Sequence, residues 1–229
     1  MDNNNLNYKR ISVFAGHYGS GKTNIAINYA LYIKKMQPRV CVADLDIVNP
    51  YFRTKDSEKM LTEHGIKLIS SEYADSNVDL PALPADTYAV VEDRDLFSVL
   101  DVGGDDRGAL ALGRYSDAIK EENNYDMFFV VNKFRPLTRD AASAVEIMRE
   151  IEAAASMRFT AVVNNSNLGV LTTPEDIISS IEYAEEISEK AGIPIAFTTA
   201  KSGIADKLDI ENVMPIDIYV QQSWQREKE

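Results

Sequence analysis

Apolar positions along this chain fall into short unbroken runs more often than into alternating ones. Met127-Phe-Phe-Val-Val131 contains no polar residue, as expected of a strand covered on both faces. Similar runs predict strands at Ile11–Ala15, Arg39–Asp44, Leu96–Asp101, Met127–Asn132, Phe159–Asn164 and Pro194–Thr198, with Ile216–Val220 as a candidate seventh. Between them, apolar residues recur at helical spacing and predict helices over Lys22–Lys35, Ser57–His64, Gly108–Glu122, Arg139–Ala155 and Glu175–Lys190. Two of these carry start signals. Thr138 precedes the fourth, and Thr173-Pro174-Glu175-Asp176 sets a capping hydroxyl, a first-turn proline and early acids before the fifth. Such alternation predicts an α/β fold, a doubly wound, mostly parallel sheet with helices on both faces. The proline-broken stretch Ser70 to Asp95 is placed as a surface excursion between two strands. No linker divides the chain, so residues 1–229 are expected to form a single domain.

Composition narrows the function classes. There are 36 acidic and 24 basic residues, a formal charge of −12, which argues against a nucleic-acid partner. The single cysteine, Cys41, lies within an apolar run and reads as a small buried hydrophobe, not a metal or disulfide position. The polar start, Met1-Asp-Asn-Asn-Asn5, is unlike a signal peptide, and no apolar run approaches a membrane span. A cytoplasmic protein with no membrane partner is expected.

The chemistry is carried by Gly16-His17-Tyr18-Gly19-Ser20-Gly21-Lys22-Thr23, a complete G-x-x-x-x-G-K-[ST] phosphate loop. It follows a predicted strand and opens a predicted helix, the context such a motif requires. Its glycines let backbone N–H groups curl around an anion at a helix N-terminus. Lys22 is expected to reach the β- and γ-phosphates, and the Thr23 hydroxyl to ligate Mg²⁺. A nucleoside triphosphate is therefore the expected ligand.

Further segments follow other predicted strands: Asp44-Leu-Asp46 after the second, Asp101-Val-Gly-Gly104 after the third and Val162-Val-Asn164 at the fifth. With the loop, they resemble the MinD/ParA/CobQ-CobB group of P-loop ATPases, of the SIMIBI type, over roughly Ile11 to Thr199. The resemblance implies ATP and Mg²⁺ as ligand and metal. It implies that Asp46 positions the attacking water and that Lys22 serves catalysis. Thr23, Asp44 and Asp101 would hold the magnesium shell, Gly104 would offer its N–H to the γ-phosphate, and Asn164 would read the base. The same residue types also suit plainer roles. Asp44 and Asp46 suit capping, Asp101 a turn, and Asn164 and Asn132 ordinary turn chemistry.

One position departs from the family pattern. Most relatives carry a lysine after the first loop residue, reaching the partner's nucleotide across a dimer; here His17 stands there, followed by Tyr18 where glycine is usual. Monomer and homodimer are both left open. The C-terminal Gln221–Glu229 is too polar and acidic for a membrane-binding helix of the MinD kind. Asn49-Pro-Tyr51-Phe52-Arg53 and Arg107 are candidate partner-facing or phosphate-facing groups. The leading function is a nucleotide-switched ATPase acting on a protein client. The alternatives are a CobQ/CobB- or dethiobiotin-synthetase-like ligase of small molecules, and a weakly hydrolysing nucleotide sensor.

Overall fold

The strand that leads into the phosphate loop is the innermost of the sheet. In the computed structural model, which describes residues 7–46, 55–70, 85–104 and 106–220, β1 (Ile11–Ala15) is buried along its whole length. It pairs in parallel with β4 (Phe97–Asp101) on one side and β5 (Tyr125–Val131) on the other. Beyond β4 lie β2 (Val40–Asp44) and β3 (Lys67–Ser70). Beyond β5 lie β6 (Ala161–Asn164), β7 (Ile195–Lys201) and β8 (Val213–Ile216). The order is β3-β2-β4-β1-β5-β6-β7-β8, and every pairing is parallel. In such a sheet the chain winds outward in both directions from β1. The crevice at its C-terminal ends is where ligands bind in this architecture.

Alternate residues of β1 feed two separate cores, because successive strand side chains point to opposite faces. Ile11, Val13 and Ala15 join α4 (Asp106–Gly113), α5 (Ser116–Glu122), α6 (Ala141–Ala155) and α8 (Ile181–Ala191) through residues such as Leu112, Ile119, Met148 and Ile187. Phe14 joins α1 (Lys22–Lys34) and α2 (Lys55–Glu63) through Ile25, Tyr29, Ile33 and Leu61. On that second face Phe14 stacks on Phe128 at 5.0 Å and meets Tyr29 edge-on at 5.2 Å. The three-layer α/β/α arrangement is the expected one.

Several boundaries differ from expectation, each for a visible reason. The helix expected over Gly108–Glu122 is two helices. α4 ends at Gly113, where a Cβ would sit 3.3 Å from the Ala154 carbonyl of α6, and Tyr115 is buried in the break against Tyr88. The helix expected over Glu175–Lys190 is likewise α7 (Pro174–Ser179) and α8. Its start is as expected, with a reciprocal Thr173–Asp176 capping box, but the Ser180 hydroxyl turns back on the Ile177 carbonyl at 2.7 Å and breaks the run. α6 is capped by Asp140, which accepts from Ser143 N at 2.9 Å, whereas Thr138 belongs to a 3₁₀ turn before it. Edge strand β3 was not expected; of its four residues Lys67 is exposed and only Ile69 is buried. Part of the proposed excursion lies outside the described residues. Its end is not surface, since α3 (Ala89–Glu92) buries Val90 and Val91.

The last strand is β8, not Ile216–Val220. Pro215 is tolerated there because β8 is an edge. The residues after it are held by two amides on α1. Asn28 accepts from Asp217 N and donates to Asp217 O, at 2.9 and 2.8 Å. Asn24 accepts from Tyr219 N and Val220 N and donates to Val220 O, at 2.9, 3.0 and 3.0 Å. Spaced four residues apart, the amides lie on one helical face and stand in for a neighbouring strand.

Where β1 and β4 begin, in the middle of the sheet, a buried cation ties three elements together. Arg10, 3% exposed, donates to the carbonyls of Val90 and Leu96 at 2.9 Å each and to Asp93 at 3.2 Å, and it pairs with Glu122 of α5. Burial pushes the Glu122 carboxyl up, but Arg10 and exposed Arg94 outweigh it and hold it below the ordinary range. Breaking one side of such a pair strands the other. Arg10→Met is therefore expected to cost about 3–5 kcal/mol in urea unfolding, and Arg94→Ala very little. Equal, small losses in both would show that Arg10 is not the anchor.

Candidate functional site

The phosphate loop bridges the end of β1 and the start of α1. Ser20 N donates to His17 O at 3.2 Å, and Ile25 N begins the helix by donating to Gly21 O at 3.3 Å. Gly21 caps the helix at φ 90, a conformation costly for residues with a Cβ. A Cβ there would also collide with the Asn165 amide. Lys22 is buried, with Nζ 3.3 Å from His17 O. His17 is partly exposed and places Nδ1 2.9 Å from Tyr18 O, while the Tyr18 side chain is exposed.

Opposite the loop, neighbouring strands deliver the carboxylates. Asp101 ends β4 beside Asp44 at the end of β2, the two facing each other in register. Thr23 Oγ1 donates to Asp101 Oδ2 at 2.6 Å, while Asp101 Oδ1 is buried without a hydrogen-bond partner. Burial pushes the Asp101 carboxyl up to about 6. Lys22 and the Thr23 hydroxyl pull it down, and Asp46 pushes it further up. Asp44 Oδ1 accepts from Asp46 N at 2.9 Å, and Leu45 N donates to Asp101 O at 2.8 Å, so the turn after β2 is fixed against β4. The structure thus brings Lys22, Thr23, Asp44, Asp46 and Asp101 together.

These oxygens fit a hard divalent cation. A free, buried carboxylate oxygen beside a threonine hydroxyl is the donor chemistry Mg²⁺ prefers. No group of three or more acidic, histidine or cysteine side chains able to hold a metal alone occurs among the described residues. Phosphate and water oxygens would supply most of such a shell.

Gly104 sits directly on the loop. A Cβ on it would overlap Tyr18 N and lie 2.9 Å from His17 C, so only glycine lets the two backbones touch. Gly108 of α4 packs just as tightly on Gly103. Arg107 projects to solvent on the same helix. Asn49 to Arg53 lie outside the described residues.

Beside the loop opens a cleft of about 350 Å³, lined among others by Gly19, Asn165, Asn167, Thr199 and Val220. Asn164 is fully buried and does not line it. Its Nδ2 donates to Ser180 Oγ at 2.9 Å, and its Oδ1 accepts from Ser166 N and Oγ at 3.2 and 2.7 Å. Asn165, which sequence reasoning passed over, is the residue that meets the loop: Nδ2 donates to Ser20 O at 2.6 Å, and Oδ1 accepts from Thr199 Oγ1 at 2.5 Å. The run Asn164-Asn-Ser-Asn167 was the available signal, but which amide faces the loop is a question of strand direction. Asn132 braces the neighbouring turn, accepting from Phe134 N at 3.0 Å and Asn167 N at 3.3 Å.

Comparison with known proteins bears on family and fold. The model of the CobQ/CobB/MinD/ParA nucleotide binding domain matches residues 11–190. No curated protein matches. Among solved structures, cell division protein FtsY from Thermotoga maritima is similar at a TM-score of 0.58 and 16% identity, over 86% of this chain and 66% of that one. The signal recognition particle receptor FtsY from Elizabethkingia anophelis in complex with GDP is similar at 0.54 and 15%, over 87% and 59%. FtsY from Mycoplasma mycoides is similar at 0.53 and 17%, over 85% and 60%. The chain spans about three fifths of the length of these solved chains, and at such identities the likeness is one of fold.

The raised Asp101 carboxyl makes a testable contribution to stability. Its ordinary value is 3.8 and its folded value about 6, so between those two pH values the folded chain keeps a proton that the unfolded chain has lost. Stability therefore falls as pH rises through that window, by up to roughly 3 kcal/mol, and levels off above it. Asp101→Asn removes this loss. Without nucleotide, the variant is expected to gain on the wild type in urea midpoint from about pH 4 to about pH 7. A difference between the two proteins that does not change with pH would refute this.

Proposed function

The chain belongs to the CobQ/CobB/MinD/ParA nucleotide-binding domain family, and from that premise we propose that it binds ATP with Mg²⁺ and hydrolyses it. The observation that carries this reading is the Thr23–Asp101 hydrogen bond, which leaves a buried carboxylate oxygen free beside Lys22 and the loop.

Each residue then has a role set by its place. The loop amides and Lys22 hold the β- and γ-phosphates, a charge-assisted arrangement stronger than neutral hydrogen bonds. Mg²⁺, when bound, neutralises charge developing on the phosphates. Thr23, with Asp44 and Asp101, would hold it. Asp46, tethered through its N–H to Asp44, orients the attacking water. Gly104 offers its N–H beside the γ-phosphate, and its contact with His17 and Tyr18 passes the presence of that phosphate toward α4.

The cleft beside the loop takes the nucleoside. Its polar side chains include the amides of Asn165 and Asn167 and the hydroxyls of Thr172 and Thr199. An amide offers one donor edge and one acceptor edge, as adenine requires, whereas the two adjacent N–H donors of guanine suit a carboxylate. Asn164 acts on the base indirectly in this reading, by bracing the turn that carries Asn167. A guanine nucleotide is the second reading, because one similar fold is described with GDP. The nucleotide state drives work on a protein client in the cytoplasm, by a monomer or homodimer, without nucleic acid or membrane. No helix of the described residues is long and apolar enough to cross a membrane.

Three measurements test the proposal. Lys22→Ala is expected to weaken triphosphate binding at least roughly thirtyfold in calorimetry, as loss of a charge-assisted contact implies, with the unfolding midpoint unchanged. Asp46→Asn should bind ATP·Mg²⁺ normally but release phosphate at least about tenfold more slowly; wild-type turnover would remove Asp46 from the mechanism. In direct competition ATP is expected to displace GTP, and the reverse order would establish the guanine reading.

A further inference from the structure

Arg135 belongs to none of the roles above. It follows β5, and its backbone is pinned on both sides: its N–H donates to Asn132 O and its carbonyl accepts from Thr138 N, both at 3.1 Å. Pro136 favours an extended residue before it, and Arg135 has φ −98 and ψ 132. The direction in which the side chain leaves the backbone is thereby set in advance. It lies along the phosphate loop, with Nε and Cζ 3.5 and 3.6 Å from where a Cβ of Gly19 would stand. It lines the cleft on the side of the loop, where Gly19 and Gly21 line it too, and its Nε is buried without a hydrogen-bond partner.

A buried cationic donor without an acceptor is unfavourable until an acceptor arrives. The surroundings indicate what that acceptor is. Although the chain carries a net charge of −12, the charged residues lining the cleft, Arg135 and Lys201, are both cations. A guanidinium is planar and its donors match phosphate oxygens in pairs. We propose that Arg135 binds the phosphate chain of the nucleotide held by the loop, giving the site a second cation besides Lys22 from within the same subunit. The inference rests on the nucleotide reading above. It adds that one subunit suffices for full phosphate affinity.

Calorimetry on the full chain tests it, using whichever of ATP and GTP binds tighter, with Mg²⁺, and the matching nucleoside. Arg135→Gln is expected to weaken triphosphate binding about 10- to 100-fold while nucleoside affinity stays unchanged. Arg135→Lys should recover part of the loss, and wild-type affinity should be the same at tenfold different protein concentrations. Should Arg135→Gln unfold, Arg135→Met keeps the aliphatic stem against Gly19 and is read in the same way. Equal weakening for nucleoside and triphosphate would make Arg135 a packing residue and overturn the proposal, as would unchanged triphosphate affinity. Lys22→Ala separates the two levels. If it too binds triphosphate normally, the nucleotide reading fails; if it loses binding while Arg135→Gln does not, only this inference fails.

Discussion

One hydrogen bond, 2.6 Å from Thr23 to Asp101, joins the first turn of α1 to the end of β4. Most of the site depends on that junction. It sets the loop against the carboxylates, and it couples the helix to the strand from which Gly103 and Gly104 run on toward α4. It also keeps one oxygen of Asp101 buried and unsatisfied, a cost that the proposed cation would relieve.

Close backbone approach is the second organising constraint. Gly104 on Tyr18, Gly108 on Gly103 and Gly21 against Asn165 are contacts a single methyl group would forbid. They leave little slack, so an added atom at the loop must displace the segment after β4. Packed interiors respond to such pushes by discrete shifts more readily than by smooth deformation. That is the physical basis for reading this segment as responsive to the nucleotide.

How far the sequence disclosed this differs by element. The strands and the loop were legible because burial on both faces leaves unbroken apolar runs, and because the loop motif is contiguous. Lys22, Thr23, Asp44, Asp46 and Asp101 converge because a parallel sheet collects strand ends at one edge. The misses are tertiary. Gly113 and Ser180 interrupt runs whose periodicity continues across them. Edge strand β3 is too short and too exposed to leave a pattern. Asn165 and Arg135 were passed over because their importance comes from residues more than a hundred positions away, at Ser20 and Gly19. No local spacing encodes such a meeting.

The pair of amides on α1 has a consequence for how this chain tolerates change. Asn24 and Asn28 reach Asp217, Tyr219 and Val220 through main-chain atoms alone, so the attachment is indifferent to which side chains those residues carry. Ile218 and Val220 line the cleft from that segment. One wall of the pocket can therefore be redrawn by substitution without loosening its fastening, while the two asparagines cannot change without releasing it. Variation in ligand preference has a place to accumulate on this scaffold, two steps removed from the chemistry.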